Sequence, residues 1–197
     1  MEEPTAPFLI VGLGNPGPEY NLTRHNLGFQ VIETIAHKNG VVWNREGALK
    51  GLVGKARKEQ RLFFLLKPMV FMNNSGESVA LTRRYYQVPV HRILVISDDI
   101  ALPFTKMRLS DKGSSGGHRG LESVELMLGT QHYARLRIGI GDRNEGELAD
   151  YVLGRFTEEE QKLLPPLIER AAKAVEIWMG EGSEAARQAL LPEVNGR

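Results

Sequence analysis

Short apolar runs alternate with amphipathic segments along this chain of 197 residues. Residues 8–11 and 93–96 are continuous apolar runs with the length of buried strands, and residues 136–140 predict another strand. Helical spacing of apolar residues occurs at Leu27, Val31 and Ile35 and again at Leu167, Ala171, Ala174 and Trp178. This alternation predicts an α/β protein, a single-domain three-layer fold with a central sheet flanked by helices.

Two further segments, residues 51–57 and 61–67, predict strands joined by the polar turn Lys58-Glu59-Gln60. Such a hairpin would make the sheet mixed, although it stays largely parallel. Residues 107–109 predict one more short strand. A glycine-rich loop at residues 111–120 then leads into a helix.

Helix ends also have sequence signals. Ser75 is expected to cap a helix that Pro89 ends. Thr157 and Glu160 have the spacing of a capping box. The dipeptide Pro165-Pro166 is expected to interrupt or restart the helix that follows.

The length allows one well-buried core, and no Pro/Gly/Ser-rich linker divides the chain. One domain is therefore expected over residues 1–197, with an N-terminal extension at 1–7 and a C-terminal tail at about 181–197. The first residues do not resemble a signal or transit peptide, and no apolar run is long enough to span a membrane. A cytoplasmic protein is expected.

Charge and cysteine content limit the chemistry. The formal net charge is +1, so contact with a nucleic acid would need a local basic patch. The chain contains no cysteine, which excludes disulfides and thiolate catalysis. No metal site is expected, because the His-Glu-x-x-His spacing is absent.

The motif Gly12-x-Gly14-x-x-Gly17 after the first strand matches the dinucleotide fingerprint. The match is poor, because Pro16 and Pro18 stiffen the turn where a helix should open. The acidic residue that should follow the second strand is also missing, since Glu33 lies within the helical pattern. A dinucleotide-binding enzyme is therefore the least favoured hypothesis.

Several candidate site residues follow the predicted strands, at the edge of the sheet where ligands of open α/β proteins collect. They are Asn15, Met72, Asn73, Asp98 and His118, with Tyr20 and His25 close to the first of them. A histidine beside a carboxylate can take a proton from water, and asparagines can orient a carbonyl and a developing oxyanion. Each residue alone is equally typical of a cap or a turn.

In combination the chain resembles the bacterial-type peptidyl-tRNA hydrolases, from about Phe8 to about Trp178. The matching blocks are Gly12-Leu-Gly-Asn-Pro-Gly-x-x-Tyr20, Thr23-Arg-His-Asn26, Phe71-Met-Asn73, Ser75-Gly76, Asp98-Asp99, Leu102-Pro103, Gly116-Gly-His118 and Arg135-Leu-Arg-Ile-Gly-Ile-Gly141. So many ordered blocks are far more specific than any single motif.

This resemblance implies hydrolysis of the ester between a peptide and the 3′ end of tRNA, without a cofactor and by a monomer. His25 matches the catalytic histidine and Asp98 its partner carboxylate. The positions implied for substrate binding are Asn15, Tyr20, Met72, Asn73, His118 and Arg119. Arg137 matches a residue that the family uses on the 5′ phosphate of tRNA.

Two positions depart from the family pattern. Arg119 stands where asparagine is usual, and Ser110 stands where lysine or arginine is usual. Lys112 or Arg108 would then have to reach the 5′ phosphate. A noncatalytic RNA-binding homologue, like the plastid relatives that support RNA splicing, is the alternative hypothesis.

Overall fold

The computed structural model describes residues 6–141 and 147–191. The strands of the described chain are β1 (Phe8–Gly12), β2 (Asn44–Glu46), β3 (Gly51–Lys58), β4 (Arg61–Pro68), β5 (Ile93–Asp99), β6 (Met107–Ser110) and β7 (Ala134–Gly139). The helices are α1 (Leu27–Lys38), α2 (Ser75–Tyr85), α3 (Arg119–Leu128), α4 (Leu148–Val152), α5 (Glu158–Glu181) and α6 (Ser183–Ala189).

The strands form one sheet in the order β2-β3-β4-β1-β5-β7-β6. The four central strands β4, β1, β5 and β7 are parallel, and β2, β3 and β6 add antiparallel pairs at the two sides. The predicted hairpin is β3–β4, whose turn has positive φ at Glu59 and Gln60, as a tight primed turn requires. The predicted mixed, largely parallel sheet is confirmed.

Both faces of the sheet are covered, which explains why its central strands are continuously apolar. Along β1, Ile10 faces a core formed with α1, α5 and α6, whereas Leu9 and Val11 face a second core formed with α2 and α3. The apolar stripes predicted for α1 and α5 are buried in the first core, at Leu27, Val31 and Ile35 and at Leu167, Ala171 and Trp178. The three-layer arrangement is therefore confirmed.

Two glycines let α1 approach the sheet closely. A Cβ atom at Gly12 would lie 2.4 Å from the carbonyl oxygen of Gly28, and a Cβ atom at Gly28 would lie 2.5 Å from that of Ile96. Any side chain at either position would push α1 away from β1 and β5. The start of α1, which directly follows the turn that contains His25, is thus held against the end of β5.

The prediction that Pro165-Pro166 interrupts or restarts a helix is wrong. α5 runs without a break from Glu158 to Glu181. Both prolines lie on its exposed face, where water can satisfy the carbonyl groups that lose their amide partners. The capping box is confirmed, since Thr157 Oγ1 accepts from the Glu160 amide and the Glu160 carboxylate accepts from the Thr157 amide.

The prediction that Ser75 caps α2 is also wrong. Asn74 occupies the cap position and Ser75 is the first helical residue. A 3₁₀ turn at Met72–Asn74 leads directly into the helix, so Ser75 has a helical backbone conformation. A capping residue needs an extended backbone to direct its hydroxyl toward the first amides of the helix.

The segment predicted as a C-terminal tail contains α6, which packs on α5 and buries Ala186. Residues 1–5 of the predicted extension and 192–197 of the predicted tail lie outside the described residues. The division into one domain with an extension and a tail stays a prediction. Among the described helices, none is both long and apolar enough to cross a membrane.

Candidate active site

His25 and Asp98 are in direct contact. His25 lies in a 3₁₀ turn at Arg24–Asn26 that leads into α1, and Asp98 lies near the end of β5. The Nδ1 atom of His25 is 2.9 Å from Oδ1 of Asp98. The Asp98 side chain is 2% exposed and that of His25 is 12% exposed, so the carboxylate is buried beneath a ring that solvent still reaches.

His118 contacts the same carboxylate oxygen from the other side. Its Nε2 atom is 3.0 Å from Asp98 Oδ1, and the centres of the two histidine rings are 4.9 Å apart. The Nδ1 atom of His118 accepts hydrogen bonds from the amides of Gly120 and Leu121, at 3.1 and 3.3 Å. His118 therefore caps α3 while it holds Asp98.

The Asp98 carboxyl is held in its charged form. Burial alone would raise its pKa, but electrostatic attraction to the His25 and His118 rings and the hydrogen bonds from both outweigh burial and keep the pKa well below its usual range. Because a carboxylate can only accept hydrogen bonds, both ring nitrogens that face it carry protons.

The hydrogen bonds give the two histidines different chemistry. His118 donates from Nε2 and accepts at Nδ1, so both of its ring nitrogens are engaged. His25 donates from Nδ1, and its Nε2 has no partner among the described residues. With the proton on Nδ1, Nε2 has a lone pair that can accept a proton from water.

A metal ion does not suit these three side chains. Their ligand atoms lie within 4.8 Å of one another, and His25 and His118 each present a protonated nitrogen to Asp98. To bind a metal through Nε2, His118 would have to carry its proton on Nδ1, against two amide donors. The expectation of no metal site stays a prediction.

Asn15 and Asn26 join the first loop to the start of α1. Asn26 Oδ1 accepts from the Asn15 amide and Asn26 Nδ2 donates to the Asn15 carbonyl, both at 2.9 Å. Asn15 Oδ1 then accepts from the Met72 amide at 2.8 Å. Asn15 thus contacts Met72 directly, while its own backbone is held by Asn26, a residue that is not among the candidate site residues predicted from the sequence. Its position next to His25 in the Thr-Arg-His-Asn block was the available signal.

Two other residues predicted to contact the substrate are more accessible to solvent. Asn73 is exposed in the turn before α2, and Tyr20 is half-buried in a 3₁₀ turn upstream of His25. Neither side chain hydrogen-bonds to the described part of the chain. Arg119 is exposed at the first position of α3 and makes no ion pair with the described residues, although Glu122 is three residues further along the helix.

The predicted tRNA-binding arginines lie on neighbouring strands. Arg137 in β7 is directly opposite Arg108 in β6. Arg137 Nε is 2.9 Å from Asp99 Oδ2, but its N–H does not point at the oxygen, so the contact is an ion pair and not a hydrogen bond. Arg108, Ser110 and Lys112 line a groove of about 580 Å³ beside α6.

Comparisons with known proteins identify the family of this chain. The sequence profile of the family described as peptidyl-tRNA hydrolase matches residues 9–195. The peptidyl-tRNA hydrolase of Chloroflexus aggregans is 45% identical over 187 residues, which cover 94% of this chain and 99% of the relative. That of Caldanaerobacter subterraneus subsp. tengcongensis is 43% identical over 179 residues, covering 91% and 96%.

A solved structure has the same fold. The crystal structure of peptidyl-tRNA hydrolase from Acinetobacter baumannii superposes with a TM-score of 0.89 at 34% identity, and the match covers 96% of this chain and 97% of the other. Similarity of sequence and fold extends over nearly the whole chain. The chain belongs to the peptidyl-tRNA hydrolase family.

Proposed function

We propose that the chain hydrolyses the ester between the peptide and tRNA of peptidyl-tRNA, with His25 as general base and Asp98 as its orienting carboxylate. Family membership supports the reaction. One observation carries the assignment of the base: His25 Nε2 has no partner among the described residues, whereas both nitrogens of His118 are engaged. His118 is thus a positioning residue in this proposal.

The reaction needs one activated water. His25 Nε2 takes a proton from the water, and the oxygen attacks the carbonyl carbon of the ester. Asp98 stabilises the imidazolium that forms, and its hydrogen bond to Nδ1 keeps Nε2 directed outward. When the tetrahedral intermediate collapses, the C–O bond to the ribose breaks, and the imidazolium returns its proton to the departing 3′ oxygen.

Asn15 is suited to stabilise the charge on the reacting carbonyl oxygen. Its Oδ1 is already engaged by the Met72 amide, which fixes the side-chain amide and leaves Nδ2 as the outward donor. Nδ2 makes no hydrogen bond to the described residues. A fixed neutral donor of this kind stabilises an oxyanion without a cost of reorganisation during the reaction.

The remaining predicted contacts surround the substrate in this proposal. Met72, buried beside Asn15, and the more accessible Asn73 and Tyr20 receive the peptide and the terminal nucleoside. Arg119, exposed next to His118, contacts the anionic 3′ strand. A cation at the first position of a helix opposes the helix dipole, so its presence there favours a role in binding over a role in stability.

Binding of the tRNA 5′ phosphate is assigned to Arg137 and Arg108, with Lys112 nearby. Like charges placed directly opposite on antiparallel strands destabilise the pair. Asp99 compensates Arg137, but Arg108 has no ion-pair partner among the described residues. A phosphate placed between the two arginines would relieve their repulsion. Arg108 would thereby replace the basic residue that is missing at Ser110.

The proposed function is tested by the release of acyl-amino acid from N-acylated aminoacyl-tRNA, with the free aminoacyl-tRNA as a control substrate. Hydrolysis of the acylated form supports the proposal. Tight binding of tRNA in a gel-shift assay without any turnover would instead indicate the noncatalytic RNA-binding homologue. A change in the fluorescence of a nicotinamide cofactor, without hydrolysis and without tRNA binding, would indicate the dinucleotide-binding enzyme.

A further inference from the structure

Arg24, the residue before His25, is a buried cation that the proposed reaction does not use. Its side chain is 9% exposed. One guanidinium nitrogen, Nη2, is 2.7 Å from Glu160 Oε2 in α5, and the other, Nη1, donates to the carbonyl of Arg155. The side chain therefore crosses from the His25 turn to the corner between α4 and α5.

Two aromatic rings of the same corner enclose the guanidinium. Its central carbon lies 4.5 Å from the centre of the Tyr151 ring and 5.1 Å from that of Phe156, which is the range of a cation–π contact. Glu160 also closes the capping box of α5 with Thr157. The arginine is thus fixed by the first turn of a long helix and not by a mobile surface group.

Backbone contacts also join the turn that contains His25 to the corner between α4 and α5. The Arg24 amide donates to the Gly154 carbonyl at 3.0 Å, and Thr23 forms an isolated bridge with Arg155. On the other side of His25, Asn26 is held by Asn15. His25 therefore lies between two fixed residues, one tied to the first loop and the other to the α4–α5 corner.

The same corner also contacts the strand end that contains Asp98. Tyr151 Oη donates to the Ile140 carbonyl at 2.7 Å, and the Ile140 amide donates to the Asp99 carbonyl at 3.1 Å. Both partners of the His25–Asp98 pair are thus positioned relative to Tyr151, one through Arg24 and the other through Ile140.

We infer that Arg24 is a positioning residue for His25, which sets the distance between His25 and Asp98 through the α4–α5 corner. This inference rests on the proposed function for its kinetic consequence. A displacement of about 1 Å in a reacting group can cost about 10²-fold in rate. Arg24 acts on the geometry of the base and not on tRNA affinity, so its loss lowers kcat and leaves KM unchanged.

Three variants test the inference. Arg24→Met removes the charge, Arg24→Lys keeps it without the planar fork, and Glu160→Gln keeps the capping box but removes the partner charge. We expect kcat on N-acylated aminoacyl-tRNA to fall by about 10²-fold in Arg24→Met. The loss should be smaller in Arg24→Lys and in Glu160→Gln. Glu176→Gln is the matched control, because it breaks another α5 ion pair, to Lys58, away from the site.

A spectroscopic measurement separates this inference from the proposed function. The ¹⁵N shifts of the His25 ring should show a proton on Nδ1 in the wild type and a mixture of tautomers in Arg24→Met or, if that variant does not fold, in Glu160→Gln. An unchanged His25 tautomer, or a loss of kcat equal to that of Glu176→Gln, would overturn the role of Arg24. If the wild type shows the ring signals but no hydrolysis, the proposed function fails and the positioning role stands.

Discussion

His118 is joined to Asp98 by a contact of 3.0 Å from Nε2 to the carboxylate oxygen that also accepts from His25. Since His118 Nδ1 accepts from the first amides of α3, the contact links a helix cap to the proposed catalytic carboxylate. The cap also fixes which nitrogen of His118 carries the proton. His118 is therefore the histidine of the pair that is not available as a base.

Two substitutions separate the roles of His118. His118→Asn keeps a good cap residue but is too short to hold Asp98, whereas His118→Ala removes both functions. We expect similar losses of kcat in the two variants. The free energy of unfolding should be lower in the alanine variant by about 1 kcal/mol, the usual value of a helix cap. Urea unfolding and steady-state kinetics measure the two effects, and equal stability of the variants would contradict the capping role.

The low pKa of Asp98 predicts a pH-dependent contribution to stability. A carboxyl whose pKa is lowered by folding stabilises the fold above the unfolded value of about 3.9, and the contribution is lost as the pH falls through the folded-state pKa. The difference in unfolding free energy between wild type and Asp98→Asn should therefore be constant near neutral pH and shrink below about pH 4. Each unit of pKa lowering corresponds to about 1.4 kcal/mol. A difference that does not change with pH would contradict this origin.

How much of this site follows from the sequence depends on the kind of contact. The alternation of apolar and amphipathic segments predicts the sheet, the hairpin and both layers of helices, because periodicity reports burial. The strand ends predict the neighbourhood of Asn15 and Asp98, because parallel strands place their carboxyl ends at one edge. His118 follows the antiparallel strand β6, so this rule does not account for its position. The roles of His25 and Asp98 came from the family resemblance.

Other features depend on tertiary geometry that no local pattern contains. The capping of α3 by His118 depends on the positive φ values of Gly116 and Gly117, which turn the chain before the helix. The network of Asn26 requires two distant loops to meet. The unbroken α5 contradicts a local rule, because an exposed helix face tolerates prolines that a buried face would not.

Replacement of Arg119 should separate stability from binding. Arg119→Asn removes a cation from the start of α3 and should stabilise the fold by about 0.3–1 kcal/mol. The same variant should raise KM for peptidyl-tRNA without lowering kcat, because a contact to the anionic strand is lost. Arg119→Lys, which keeps the charge, is the control. Lower stability together with an unchanged KM would show that Arg119 has a structural role only.

Neutralising Arg137 or Arg108 should weaken tRNA binding in a salt-dependent way. For each lost phosphate contact, a plot of the logarithm of the tRNA association constant against the logarithm of the salt concentration should become less steep by about 1. Turnover at saturation should change little. Arg84→Ala, at the exposed end of α2, is the matched control.

A minimal substrate sharpens the same comparison. An ester that carries only the terminal nucleotides lacks the 5′ phosphate and should be cleaved equally well by wild type, Arg137→Ala and Arg108→Ala. If Arg137→Ala impairs both substrates alike, the residue supports the fold or the chemistry, and its ion pair with Asp99 is its main role.

The central claim is that His25 is the general base, and single-turnover hydrolysis of N-acylated aminoacyl-tRNA by wild type and His25→Ala tests it most directly. We expect release of the acyl-amino acid to slow by about 10² or more in His25→Ala, as for the loss of a general base. Binding of tRNA should stay unchanged and the chain should still fold, although the loss of the hydrogen bond from His25 Nδ1 to Asp98 should lower the unfolding midpoint. A single-turnover rate close to that of the wild type would remove His25 from the mechanism.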